Sequence, residues 1–89
     1  MIIEKVTITN KLGLHARAAS KFVATAQQFS SEVTVTNGEH EANGKSIMAV
    51  MMLQGSPGTE LTLHINGDDE EQALAAIIEL ISDKFGEEE

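Results

Sequence analysis

Polar and apolar residues alternate along three short stretches of this chain, and this pattern constrains the fold more than any other feature of the sequence. Val6 and Ile8 alternate with polar residues in 2–9, and the same alternation recurs in 32–36 and 60–66. A period of two places successive side chains on opposite faces of a β-strand. Each of these predicted strands therefore has one apolar face and one polar face.

Segments with apolar residues at helical spacing lie between and after these strands. Helices are predicted from about residue 16, over 47–53 directly after Ser46, and over about 69–84. The last helix carries the clearest apolar stripe, formed by Leu74, Ile77, Ile78, Ile81 and Phe85. The acidic residues 68–71 are interpreted as solvated charges at the positive first turn of this helix.

The Asn37-Gly38 pair is typical of a hairpin turn, so residues 39–43 are predicted to return as a short strand. The resulting order is β-α-β-β-α-β-α. One-faced strands in this order favour an α+β fold in which helices cover one side of a single sheet. The Thr-rich face with His64 is then left open to water. The 89 residues include three aromatic side chains, so we predict a single domain over 1–89 with an aliphatic core.

Charge is unevenly distributed, and this bears on the class of ligand. The formal net charge is −8, which argues against a nucleic-acid binder because phosphate contacts need Lys and Arg. Residues 1–45 nevertheless carry five basic and four acidic residues, so an anion site is expected in that half. The chain has no Cys, and no apolar run approaches the roughly 20 residues of a membrane span. We expect a cytoplasmic protein without membrane insertion.

The residues best suited to chemistry form the run Gly13-Leu14-His15-Ala16-Arg17. Gly13 allows the backbone to turn between strand and helix. His15 falls at the predicted helix start, where the dipole disfavours imidazolium and backbone N–H groups can bind a phosphoryl group. Arg17 adds a planar set of donors suited to phosphate oxygens. His15, His40 and His64 lie on different predicted elements, and we expect neither a metal ion nor a cofactor.

Residues 8–19, Ile-Thr-Asn-Lys-Leu-Gly-Leu-His-Ala-Arg-Ala-Ala, resemble the active-site segment of the HPr family, the histidine phosphocarriers of the bacterial phosphoenolpyruvate-dependent phosphotransferase system. Residues 44–51 resemble the second conserved motif of that family. The resemblance implies an open-faced β-sandwich with a four-stranded antiparallel sheet in the order 1-4-2-3 and three helices on one face. It also implies a carrier, not an enzyme in the usual sense.

By this resemblance, His15 accepts a phosphoryl group on Nδ1 from the phosphorylated first enzyme of the system. It then passes the group to sugar-specific carrier domains, and Arg17 stabilises the phosphate charge. The chain departs from the family pattern at Ala18, where most members have Pro. Ala18 supplies one more N–H at the helix start, so different phosphate contacts or a different rigidity are expected there.

Ser46 has two compatible interpretations. As the residue before a predicted helix, it is expected to act as an N-cap, which contributes about 1 kcal/mol. The resemblance also implies that Ser46 is a regulatory phosphorylation site for a serine kinase/phosphorylase. A phosphate there would repel acidic partners that dock nearby.

The predicted partner-docking surface combines a Met-rich helix with cationic residues. The three Met residues at 48, 51 and 52 cannot all point inward on so short a helix, and Met surfaces suit several partners. By resemblance, the docking residues are Ser20, Lys21, Lys45, Ile47, Met48 and Met51, together with Arg17. Their positive charge is expected to attract acidic partners to a monomeric carrier.

Two alternatives remain open. One is the nitrogen-branch paralogue of the family, which acts in regulation instead of sugar uptake. The other is a regulatory binding module in which His15 is never phosphorylated, although the presence of both His15 and Arg17 argues against it.

Overall fold

The computed structural model describes residues 1–53 and 55–86, and over these residues it has the order of strands and helices predicted from the sequence. The elements are β1 (Ile2–Thr7), α1 (Ala16–Ala26), β2 (Glu32–Thr36), β3 (Glu41–Asn43), α2 (Ile47–Met52), β4 (Glu60–Asn66), α3 (Glu70–Ser82) and a 3-10 turn (Lys84–Gly86). Within the same ranges, no helix is both long enough and apolar enough to cross a bilayer.

The strands form one antiparallel sheet in the order β1-β4-β2-β3, as the family resemblance implied. Its register pairs apolar residues with one another: Val6 lies opposite Leu61, and Val35 opposite Leu63. Leu61 and Leu63 are fully buried, and they join helical residues such as Phe22 in one core. The opposite face carries His64, which is only half-buried. The prediction of one covered face and one open face is therefore confirmed.

Several element ends differ from the prediction: β3 begins at Glu41 instead of residue 39, α2 ends at Met52 instead of residue 53, and the ends of β1 and α3 also differ. β1 ends at Thr7 instead of residue 9, although Ile8 N–H still donates to Thr59 O at 2.9 Å. α3 ends at Ser82, so Phe85 is not on the helical stripe predicted for it. Phe85 reaches the core from the 3-10 turn instead, with a left-handed φ of 57° and a fully buried side chain. Burial of the aromatic ring outweighs the local helical pattern at this end of the chain.

The acidic cluster 68–71 lies at the start of α3. It was predicted to consist of solvated charges, but two of its residues accept specific hydrogen bonds. The Asp69 carboxylate accepts hydrogen bonds from the hydroxyl of Ser31 and from the backbone N–H groups of Ser30 and Ser31, the latter two at 2.9 and 3.0 Å. These bonds, that of the Ser31 hydroxyl first, hold the pKa of Asp69 below its usual value. Glu70 accepts from Gly67 N–H at 3.1 Å. Asp69 thus joins the start of α3 to the segment that links α1 to β2.

Candidate functional site

A short loop between β1 and α1 fixes the position at which His15 enters the helix. Asn10 is fully buried, and its Nδ2 donates to Gly13 O at 2.8 Å. Gly13 has φ of 66°, and a Cβ at this position would lie 2.1 Å from Gly55 O. The same Gly55 carbonyl accepts from Leu14 N–H at 2.8 Å. Two backbone segments therefore lie in direct contact just before His15, and the close approach requires glycine at residue 13.

His15 is the N-cap residue of α1. Its backbone is extended, with φ of −74° and ψ of 177°, and its ring Nδ1 accepts from Arg17 N–H at 3.3 Å. An acceptor nitrogen needs a lone pair, so in the neutral ring the proton is on Nε2. The first intrahelical bond runs from Ala19 N–H to His15 O at 2.9 Å. The structure thus has the predicted acceptor nitrogen beside the Arg17 N–H in the first turn of the helix.

Arg17 and Ala18, in the first turn of α1, differ sharply in exposure. Arg17 is exposed, so its side chain is accessible from solvent. Ala18 is fully buried, and its N–H precedes the first intrahelical bond because that bond starts at Ala19. The family's usual Pro would have no N–H at this position. This chain therefore has one backbone donor more in the first turn of α1.

Ser46 is the N-cap of α2, as predicted. Its Oγ accepts from Ala49 N–H at 3.4 Å, and its carbonyl accepts from Val50 N–H at 3.0 Å. The side-chain bond is long, so its contribution belongs at the low end of the range for N-caps, about 0.5 kcal/mol. Ser46 is half-buried, and the exposed residue Ile47 follows it directly.

The two lysines of the predicted docking surface are tied to backbone carbonyls. Lys21 Nζ donates to Phe85 O at 2.6 Å, and Lys45 Nζ donates to Phe29 O at 2.7 Å. The first bond links α1 to the 3-10 turn at residues 84–86, and the second links the segment after α1 to the residue before Ser46. Sequence reasoning missed this structural role because the partner carbonyls leave no sequence pattern.

The three Met residues of α2 differ in exposure, as expected for so short a helix. Met48 and Met52 are 72% and 74% exposed, and Ile47 is 43% exposed. Met51, which was predicted as a docking residue, is half-buried and packs against the core. Met52 was not among the predicted docking residues, yet it offers far more exposed surface. Ser20, in contrast, is exposed on α1 as the prediction requires.

Sequence reasoning also missed Leu12, which is 67% exposed in the loop before His15. The sequence did carry a signal: Leu12 is an apolar residue in a predicted turn, so it belongs to no apolar stripe of a strand or helix.

Over residues 1–53 and 55–86, no group of three or more His, Asp or Glu side chains could hold a metal ion.

Comparisons with known proteins show the family and the fold of this chain. The family model described as "PTS HPr component phosphorylation site" matches residues 2–83. The chain is 51% identical to the phosphocarrier protein HPr of Neisseria meningitidis, with both chains covered completely. It is 54% identical to the HPr of Pseudomonas aeruginosa over 96% of each chain. A crystal structure of HPr from Thermoanaerobacter tengcongensis has a TM-score of 0.95 at 47% identity, with both chains fully covered.

The fold and these relatives identify the class of protein as a small phosphocarrier of the phosphotransferase system, which is not an enzyme. The chain belongs to the HPr family.

One further relative bears on the nitrogen-branch alternative, and one further structure bears on the predicted monomer. The phosphocarrier protein NPr of Shewanella violacea is 45% identical over 93% of this chain and 91% of its own. A crystal structure of an HPr dimer from T. tengcongensis has a TM-score of 0.78 at 49% identity, over 92% of this chain and 94% of that one.

Proposed function

We propose that this chain carries a phosphoryl group on His15 Nδ1 between the phosphorylated first enzyme of the phosphotransferase system and a sugar-specific carrier domain. The observation that carries the proposal is the contact between His15 Nδ1 and Arg17 N–H at 3.3 Å. In this contact Nδ1 is the acceptor, so its lone pair lies at the start of a helix. A nucleophilic nitrogen and backbone donors for the transferred group are then present at one place.

The transfer is a displacement at phosphorus. Nδ1 of His15 attacks, the bond between phosphorus and the donor atom breaks, and its electron pair remains on the donor. Nδ1 then uses its lone pair in the new N–P bond and no longer accepts from Arg17 N–H. That N–H and its first-turn neighbours turn from the imidazole to the phosphoryl oxygens, while the guanidinium of Arg17 balances their charge. The proton on Nε2 stays in place.

A carrier must also release the group it accepts. The site is open, because Arg17 is exposed and His15 is only half-buried. Charge pairs in such an exposed setting are weak, so the phosphoryl group is not over-stabilised. Ala18 adds a backbone donor at the same helix start. We therefore propose that this chain holds the phosphoryl group slightly more firmly than a variant with Pro at that position.

The test is incubation with phosphoenolpyruvate and the first enzyme, followed by intact-mass measurement. Wild type is expected to gain one acid-labile phosphoryl group. His15→Asn is expected to gain none and to stay folded, since Asn is among the best N-cap residues. His64→Asn, on the open sheet face, is the matched control and is expected to be labelled as wild type is. Full labelling of His15→Asn would remove His15 from the mechanism.

We further propose that Ser46 is a site of regulatory phosphorylation by a serine kinase/phosphorylase. A phosphate there adds about −1.5 to −2 charges beside the exposed side chains of Ile47 and Met48. Ser46→Asp imitates part of this charge and keeps an N-cap, so it is expected to raise the first enzyme's KM for this protein without unfolding α2. Ser46→Asn, an uncharged cap, is the control. Equal KM values for the two variants would contradict a charge effect.

The nitrogen-branch role is the second candidate, and the 45% identity to an NPr favours keeping it. Comparison of phosphoryl transfer from the labelled protein to a sugar-specific carrier domain and to a nitrogen-branch carrier separates the two. We propose a sugar-type or general carrier, because residues 44–48 resemble the motif of such carriers. The predictions of a monomer, a cytoplasmic location, a single domain over 1–89 and a site without metal or cofactor stay predictions.

A further inference from the structure

Leu12 is a large apolar residue held in water by the fold around it. Its side chain is 67% exposed, whereas Gly13 and Leu14 directly after it are buried. Scattered exposed apolar residues are common on protein surfaces. The position of Leu12 is less ordinary, since it lies three residues before the candidate phosphoryl acceptor His15.

The exposure of Leu12 follows from backbone contacts on both sides. Before it, Asn10 is buried and bonded to Gly13 through both its side chain and its carbonyl, at 2.8 and 3.2 Å. After it, Gly13 contacts Gly55, and Leu14 N–H donates to the same Gly55 carbonyl. Leu12 cannot turn inward without breaking these contacts. Because the loop is already ordered, a partner that buries Leu12 loses little entropy in fixing it.

Chain geometry places Leu12 within the surface that a protein docked over His15 covers. The three peptide links between Leu12 and His15 keep their Cα atoms within about 11 Å of each other. A standard protein interface covers about 800 Å² on each partner, which as a disc has a radius of about 16 Å. A donor protein must bring its phosphoryl group into contact with His15, so a footprint centred on His15 extends past Leu12. A second copy of this chain seated on Leu12 would instead block His15 and is not compatible with transfer.

We propose that Leu12 is a docking residue that enters an apolar depression on the protein that phosphorylates His15. The inference rests on the proposed function and deepens it, since it adds an apolar contact on the loop before His15 to the α2 surface formed by Ile47 and Met48. Arg17 then lies between these two apolar contacts along the chain. The partner surface that fits has apolar depressions at both contacts and acidic groups facing Arg17.

The test is steady-state phosphorylation by the first enzyme with this protein as the varied substrate. Full burial of a leucine side chain favours association by roughly 10- to 100-fold, so loss of the part now exposed is expected to raise KM about tenfold. Leu12→Ser should show this rise with kcat unchanged, since the contact is made equally in the ground and transition states. Leu12→Met keeps an apolar side chain and should restore a KM close to wild type.

Ile3→Ser is the matched control. Ile3 is 59% exposed and lies opposite His64 on the water-facing side of the sheet, away from the helices. Its KM is expected to equal that of wild type. Circular dichroism and thermal melting confirm that each variant is folded, and Leu12→Ala, expected to raise KM about fivefold, replaces Leu12→Ser if that variant does not fold.

Four outcomes overturn the inference. An unchanged KM for Leu12→Ser would show that no partner buries this side chain. A fall in kcat alone would indicate an effect on the loop that holds His15. An equal rise for Ile3→Ser would indicate a nonspecific apolar effect. Wild type that is never phosphorylated would remove the proposed function as well, which distinguishes that failure from the first three.

Discussion

Substitution of Gly13 by Ala tests whether the contact between two backbone segments holds the candidate site in place. A Cβ at residue 13 would lie 2.1 Å from Gly55 O, more than 1 Å inside an ordinary contact, and that carbonyl already accepts from Leu14 N–H. The φ of 66° adds a cost of roughly 1–2 kcal/mol for any residue with a Cβ. Forcing the segments apart adds about 1–3 kcal/mol.

Gly38→Ala is a matched control within the same chain. Gly38 also has a positive φ, 97°, but a Cβ there meets nothing within 4 Å. Its cost is therefore conformational alone, about 1 kcal/mol after the entropy lost by the unfolded chain is counted. Gly13→Ala is expected to lower the free energy of unfolding by about 2–4 kcal/mol. In a domain of this size, that is a fall in Tm of about 10–25 °C.

Urea unfolding followed by circular dichroism measures both variants, and the difference between them isolates the contact. The folded Gly13→Ala variant is also expected to be phosphorylated more slowly than wild type, because His15 lies only two residues after the displaced turn. If the two variants lose the same stability, the close approach to Gly55 does not constrain the loop and the reasoning fails. A wild-type phosphorylation rate in folded Gly13→Ala would separate the loop from the chemistry.

Two further predictions concern contacts that join distant segments. The pKa of Asp69 is lowered by its bonds to Ser31, so its contribution to stability is present above the ordinary value of 3.8 and is lost as pH falls below it. Asp69→Asn should therefore be less stable than wild type at pH 7 but differ little at pH 2. Asp68→Asn is the control for loss of a neighbouring carboxylate and should keep the wild-type stability at pH 7; an equal loss in Asp69→Asn at both pH values would contradict the reasoning. Lys21→Met removes the 2.6 Å bond to Phe85 O and should lower the free energy of unfolding by about 1 kcal/mol in urea, and unchanged stability would leave Lys21 with docking as its role.

The faces of the strands could be read from the sequence because each pattern is local. Leu61, Leu63 and Ile65 alternate along seven residues, and all three are fully buried. A period of two determines which side chains share a face whatever the neighbouring strand is. The position of His15 at a helix start and the capping role of Ser46 are local in the same sense, since each follows from the helix that begins directly after it. The strand order β1-β4-β2-β3 came instead from the family resemblance.

The contacts that hold the candidate site were decided by tertiary structure. Gly13 touches Gly55 across 42 residues of sequence, and Lys21 reaches Phe85 across 64. Neither pair has a periodic signal, because each depends on how finished elements pack against one another. The same reason explains why Met51 turned toward the core while Met52 stayed in water. Local periodicity thus determined the elements and their faces, and long-range packing decided which loops, lysines and methionines surround His15.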